Sequence, residues 1–581
     1  MSPWLEVWAP NAEQSVEVEL GGDRLAMRPD PSRDGWYTYE SGDGLPAGTE
    51  YRFVLDGGDA LPDPRSASQP SGIDGPSAVI DHDAFPWTDQ GWLGAPLKSA
   101  VIYELHVGAF TPEGTFESAI HKLDHLVDLG VTAVELLPVN EFSGERGWGY
   151  DGVLLYAPHH AYGGPHGLKR LVDACHARGL AVIMDVVYNH LGPAGNHLAK
   201  YGPYFTSRHN TPWGDAVNFD DRGSDEVRRF FIDNALTWLR DYHCDGLRLD
   251  AVNAIVDTSA THILEELGRE VRRLEAAIGR GLFLIAESDL NDPRIVRSPD
   301  IGGYGMDAQW SDDYHHTLHA VLAGERAGYY ADFGDIADIA YALEHVFVYD
   351  GRHAGERGRR HGRPATGLPG WKFLGYLQDH DQVGNRAVGE RSGALMSTGR
   401  LKVGAALVLL APFVPMLFMG EEWGASTPFQ YFTDHQDPDL GRAVSEGRRG
   451  EFSSFGWDPA DVPDPQDRAT FERSKLDWAE LDKEPHAELL AWHQTLIGLR
   501  RQHPEFADGD RDQVRVRFDE DARWLVLERG PSAVAVNLAG HSQPVIVGDQ
   551  REHILAASEP GVTVAGGVIQ LPPDSVAIVS G

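Results

Sequence analysis

From about residue 100 the chain falls into a rhythm that few architectures satisfy. Short, near-continuous apolar runs at 100–107, 133–139, 181–189, 246–252, 282–288, 308–314, 373–381 and 415–423 are separated by loops and helical patterns. The helical patterns cover 116–129, 168–177, 225–242, 262–278, 336–346, 401–410 and 487–501. Strands that alternate apolar and polar residues belong to sheets with one wet face. Unbroken apolar strands belong to parallel sheets covered by helices. Eight such strands interleaved with helices predict a (β/α)8 TIM barrel spanning 96–505.

The ends of the chain read differently. Runs at 5–9, 15–20, 35–40 and 50–55 lie between turn pairs such as Gly21-Gly22 and Asp56-Gly57, which predicts a small immunoglobulin-like β-sandwich over 1–95. Short alternating runs at 514–518, 524–527, 533–536 and 576–579 predict a C-terminal antiparallel β domain over 506–581.

A barrel of this kind places its active site at the C-terminal ends of its strands. Glu104 and His106 close the first run, and the third ends Asp185-Val186-Val187-Tyr188-Asn189-His190. Asp250 closes the fourth, Glu287 the fifth, and Asp379-His380-Asp381 the seventh. One acid at a strand end is ordinarily a structural ion pair. Three, on strands four, five and seven, converge on one mouth. Arg248 and Asp250 share a strand face, and the guanidinium keeps the carboxylate ionised, as a nucleophile requires. Glu287 follows the apolar lead-in Leu282-Phe283-Leu284-Ile285-Ala286, where desolvation favours a protonated acid/base. Asp381 suits the binding of sugar hydroxyls and of positive charge in the transition state. This is the equipment of a retaining glycosidase. Trp148, Tyr150, Trp213 and Trp423 are candidates for stacking on sugar faces.

The charge balance fits a neutral substrate. With 88 acidic against 50 basic side chains the formal charge is −38, which disfavours nucleic acid and anionic membranes as partners. No run of about 18 apolar residues exists to span a bilayer. The start has no basic flank followed by an apolar stretch, and the cysteines, Cys175 and Cys244, sit in apolar segments. A cytoplasmic protein with buried thiols is expected. The 191–221 loop, with Asp215, Asp220 and Asp221, offers no hard-cation cage, and no glycine-rich phosphate loop follows a strand. No metal and no cofactor are expected.

The segments 185–190 and 246–250, Glu287 with its lead-in, and His380-Asp381 resemble the four motif regions of the α-amylase superfamily, glycoside hydrolase family 13. The resemblance implies Asp250 as nucleophile, Glu287 as acid/base and Asp381 as transition-state stabiliser. It further implies Arg248, His190 and His380 around the sugar at the cleavage point, with Tyr150 stacking on it. Asp379 departs from the pattern, because many members carry Asn there. Trp148-Gly149-Tyr150-Asp151-Gly152-Val153, His380-Asp381-Gln382-Val383-Gly384-Asn385-Arg386 and the stretches 416–423, 428–435 and 447–452 are similar to the maltooligosyltrehalose trehalohydrolase family. That likeness implies hydrolysis of the α-1,4 bond beside the terminal α,α-trehalose unit of maltooligosyl trehalose, leaving a shortened maltooligosaccharide. Asn253, Glu421 and Glu422 are then expected in the leaving-group site, with Trp213 and Trp423 as further substrate contacts. A glycogen branching or debranching enzyme is the nearest rival reading, and a carbohydrate-binding protein on an inert barrel is the rival of another class. The sequence is compatible with a monomer or a homodimer.

Overall fold

In a computed structural model of the chain, residues 2–451 and 461–581 are described; Phe452, the end of the 447–452 stretch, lies outside them. The barrel strands are β1 (Ile102–Leu105), β2 (Ala133–Leu136), β3 (Ala181–Val186) and β4 (Gly246–Leu249). They continue with β5 (Phe283–Ala286), β6 (Ala308–Trp310), β7 (Phe373–Gly375) and β8 (Val414–Phe418). Each pairs in parallel with the next, and β8 closes on β1. Every strand is shorter than the apolar run that signals it. The run continues past the end of the ladder into the following loop, and those overhanging residues carry the acids.

The outer helices follow the amphipathic pattern with local departures. The stretch expected as one helix over 116–129 is two, Phe116–Ile120 and Leu123–Leu129. The sixth apolar run leaves the sheet at Trp310 and turns directly into a helix, Asp312–Ala323. Between β5 and β6 the described residues form only one short 3-10 turn, Pro299–Ile301, so the helical ring is incomplete there.

The barrel interior changes character along its axis. Its lower part is apolar, filled by Ile102, Ala181, Ile183, Phe283, Ile285, Leu374 and Met416. Gly246 belongs to this layer because a Cβ there would lie 2.3 Å from the Phe283 ring. Above it, the inward side chains become charged: Glu104 pairs in register with Glu135, and Asp185 with Arg248. All four are buried.

The N-terminal segment forms two antiparallel sheets, one built on Ser2–Trp8 and Trp36–Leu45 and the other on Val16–Leu20 and Glu50–Leu55. The C-terminal segment forms a five-stranded sheet from Val514–Asp519 to Ser575–Ser580 and a three-stranded one beside it. Cys175 and Cys244 are buried free thiols. Among the described residues no helix is long and apolar enough to cross a membrane.

Candidate active site

Asp250 and Glu287 each stand one residue beyond a register pair, Leu249 with Ala286. Backbone bonding continues past the strand ends but skips Ala251: Glu287 N–H donates to Leu249 O at 3.0 Å, and Val252 N–H to Glu287 O at 2.9 Å. Their Cα positions are therefore neighbours across one interstrand gap of about 4.8 Å. Ala251, between them in the path of the chain, takes a left-handed conformation with φ +35°. That backbone is unfavourable for a residue with a Cβ by about 1–2 kcal/mol. It aims the Ala251 N–H at Glu287 Oε2, 2.7 Å away.

Arg248 is fully buried and holds three carboxylates. Its Nη1 donates to both oxygens of Asp185 at 2.9 and 2.8 Å and to Asp250 Oδ1 at 2.9 Å, while Nη2 lies 2.9 Å from Glu287 Oε2. The guanidinium carbon sits 4.6 Å from the Trp310 ring, so the cation rests on an indole. Asn189 Nδ2 donates to Asp250 Oδ2 at 2.7 Å. Both oxygens of Asp250 are thus fixed by donors.

Glu287 is treated differently. Burial pushes its pKa well above the usual carboxylate range against the pull of Arg248, and the charges of Asp250 and Asp381 push it further. Its Oε2 faces both donors, which leaves Oε1 as the oxygen for the proton. Asp185, beneath, is raised by burial to about 6 despite Arg248.

The third acid lies in the segment that follows β7. Asp379 caps the short helix His380–Gly384 by accepting the Gln382 N–H at 2.8 Å, and Asp381 stands in its first turn. Asn385 Nδ2 donates to Asp381 Oδ1 at 3.2 Å. Burial alone would lower the His380 pKa, but Glu104 and Asp381 outweigh it and keep it well above the usual histidine value. As an imidazolium it has an acceptor for each proton. Nδ1 donates to Glu104 Oε1 at 2.5 Å, and Nε2 to the Tyr150 hydroxyl at 2.7 Å. Tyr150 in turn donates to Asp185 Oδ2 at 2.6 Å.

These groups open onto a cavity of about 640 Å³. Tyr150, His190, Trp213, Asp250, Glu287 and Asp381 all line it, while Arg248 and His380 lie behind the lining. His190 and the half-exposed Trp213 stack face to face with ring centroids 4.1 Å apart, and burial lowers the His190 pKa.

Other expected contacts lie elsewhere. The eighth run is not strand up to 423: β8 stops at Phe418, and the left-handed Gly420 turns the chain into the barrel wall. Glu421 is buried there, accepting the Phe418 N–H at 3.2 Å, with burial lifting its pKa to about 8. Glu422 meets Tyr103 and His125 at 3.1 and 2.8 Å, and Trp423 packs on His125 and Trp478. None of the three reaches the cavity, and neither does the exposed Asn253, whose Oδ1 accepts the Asp289 N–H at 3.4 Å.

The lining also includes Asp151, Asn385, Tyr431, Thr433, His435, Leu440, Val444 and Arg448, which strand-end reasoning does not reach. Several fall in the 428–435 and 447–452 stretches, where only the family likeness marked them. One group among the described residues has metal-ligand chemistry: Glu141, His159 and His160, with donor atoms within 4.8 Å of one another. Glu141 Oε1 already lies 3.0 and 2.6 Å from the two imidazole Nδ1 atoms, and none of the three lines the cavity.

The chain is similar to known proteins over most of its length. The family described as Alpha amylase, catalytic domain, matches residues 64–209, and a domain of unknown function, DUF3459, matches 509–578. The malto-oligosyltrehalose trehalohydrolase of Arthrobacter ramosus is 53% identical over 562 residues, 96% of either chain. That of Saccharolobus solfataricus is 48% identical over 497 residues, 86% of this chain and 85% of its own. A crystal structure from Salmonella typhimurium, provisionally assigned as an alpha amylase, is 40% identical. It superposes with a TM-score of 0.90 over 100% of this chain and 97% of its own.

Proposed function

The chain belongs to the malto-oligosyltrehalose trehalohydrolases of the α-amylase superfamily, and from that membership we propose how its carboxylates carry out the reaction. It is a glycoside hydrolase that cleaves the α-1,4-glucosidic bond beside the terminal α,α-trehalose unit of maltooligosyl trehalose and releases trehalose. The reading of its site rests on one observation: Asp250 and Glu287 sit on adjacent strands at one cavity, joined through Arg248.

Glu287 Oε1 gives its proton to the glycosidic oxygen as Asp250 attacks the anomeric carbon from the opposite face. The bond to trehalose breaks, and the glycan is left as an ester of Asp250. Glu287, now ionised, takes a proton from water as the water oxygen attacks the same carbon. The ester bond breaks, Asp250 regains its charge, and Glu287 regains its proton. Two inversions give net retention. Asp381 and His190 hold the sugar hydroxyls, and Asp381 opposes the positive charge that develops on the ring. Tyr150, kept in place by His380 and Asp185, supplies the stacking face. Trp213 extends it.

Maltooligosaccharides act as substrate and product, and the sparse unpaired cysteines support a cytoplasmic location for the enzyme. The test is a product assay on maltopentaosyl trehalose beside a plain maltooligosaccharide of equal length. Trehalose release from the first with little attack on the second is the expected result. Equal attack on both identifies a general α-1,4-glucanase, and transfer of chains on amylose or glycogen identifies a branching enzyme.

A further inference from the structure

The helix Pro438–Glu451 turns Leu440, Val444, Gly447 and Arg448 toward the cavity, so it forms part of the substrate's wall. Arg448 also reaches past the wall. Its Nη1 donates to Asn385 Oδ1 at 3.0 Å, its Nη2 donates to the Gly384 carbonyl, and its guanidinium lies 4.9 Å from the Tyr431 ring. Asn385 passes the contact on through Nδ2 to Asp381. Only one orientation of the amide serves both ends, because a guanidinium can only donate and a carboxylate only accept. The relay therefore has a fixed direction, from Arg448 through Asn385 to Asp381.

The short helix that carries Asp381 is gripped from the other side as well. Gly384 has no room for a side chain: a Cβ there would lie 2.1 Å from the Trp148 ring. Trp148 itself is tied by Nε1 to the Gln430 carbonyl at 3.0 Å. The indole presses on one side of residue 384 while Arg448 pulls on its carbonyl. Asp381, by contrast, is 37% exposed and has a weak hold on His380 at 3.7 Å. The orientation of its carboxylate thus depends on Asn385.

We propose that Asn385 and Arg448 are positioning residues for Asp381, and that they couple the cavity wall formed by helix Pro438–Glu451 to the acid facing the transition state. The proposal rests on the reading of Asp381 given above. An acid displaced by about 1 Å costs up to ~100-fold in rate. The two residues act in series, so removing either one removes the same hold.

Steady-state kinetics on maltooligosyl trehalose and thermal melting of Asn385→Ala, Arg448→Ala, Arg448→Lys, the double alanine variant and Asp381→Asn test it. The alanine variants are expected to lose about 10- to 100-fold in kcat, with KM within about two-fold and melting unchanged. The double variant should be no worse than Asn385→Ala. Added guanidinium should restore Arg448→Ala and leave Asn385→Ala as it is, and Arg448→Lys should fall between wild type and Arg448→Ala. A rise in KM with kcat preserved would make Arg448 a substrate contact and overturn the proposal, as would additive losses in the double variant. If Asp381→Asn is inactive while both alanine variants turn over normally, the relay is wrong and the reading of Asp381 stands. If Asp381→Asn is fully active, that reading fails and the relay falls with it.

Discussion

Glu104 and Glu135 stand side by side on the inner faces of β1 and β2, in register and fully buried, yet only one of them is partnered. Glu104 accepts the backbone N–H and the imidazole of His380. Neither oxygen of Glu135 has a hydrogen-bond partner among the described residues. Burial, then the charge of Glu104, pushes the Glu135 pKa well above the carboxylate range, so this carboxyl stays protonated beneath the site.

A raised folded-state pKa means that the unfolded chain loses its proton first. Stability on this account is full below about pH 4.3, the ordinary glutamate value, and declines as pH rises toward the folded value. Glu135→Gln cannot ionise and escapes the decline. Its melting temperature relative to wild type is expected to climb between pH 5 and pH 8. A difference that is the same at both pH values would show that Glu135 carries no linked proton.

Glu287 sets the alkaline limb of activity. The first step needs it protonated, and its pKa is raised, so kcat/KM should fall only at a pH well above ~4.3. Glu287→Gln is expected to lose about 100- to 10,000-fold on the natural substrate. It should lose far less on a maltooligosyl fluoride, whose leaving group needs no proton. Equal losses on both substrates would remove Glu287 from the acid role.

Asp250 is held by Arg248 and Asn189 from two sides, so shortening it leaves a space bounded by donors. Asp250→Ala should lower kcat by ~10,000-fold or more. With azide present it should form the β-glycosyl azide, because the anion enters from the face the carboxylate occupied. An α-azide, or unaided turnover above a few per cent of wild type, would assign the nucleophile elsewhere.

Gly246→Ala tests the lower barrel. The added methyl meets the Phe283 ring at 2.3 Å in a layer with no slack, a clash that costs about 1–3 kcal/mol in a packed core. The thermal midpoint should drop and should recover in Gly246→Ala combined with Phe283→Leu. Failure of the second change to help would place the strain outside this pair.

The barrel and its three acids were legible because closed parallel strands leave a long apolar signature, and because an acid ending such a run is conspicuous. The eighth run was less legible. Glu421 and Glu422 read as loop residues of the leaving-group site and Trp423 as an aromatic near the mouth, but Gly420 turns all three into the wall. The glycine marks a turn but does not say which way the next three side chains face. Asn385 and Arg448 were equally opaque, for they lie 63 positions apart and meet only through the fold. Glu135 lies inside the 133–139 run, and a strand seen without its neighbours does not say which charge lies beside it.

The pairing of Leu249 with Ala286 has a stereochemical consequence. Retention requires the two carboxyls about 5–5.5 Å apart, whereas an inverting pair stands wider to admit a water molecule between them. Here the two acids each follow paired strand ends that stand one sheet repeat, about 4.8 Å, apart, so it is the strands that bring them side by side. Insertions after residue 287 can reshape what the enzyme accepts. The anomeric configuration at the new reducing end of the shortened maltooligosaccharide then follows from where these two strands end.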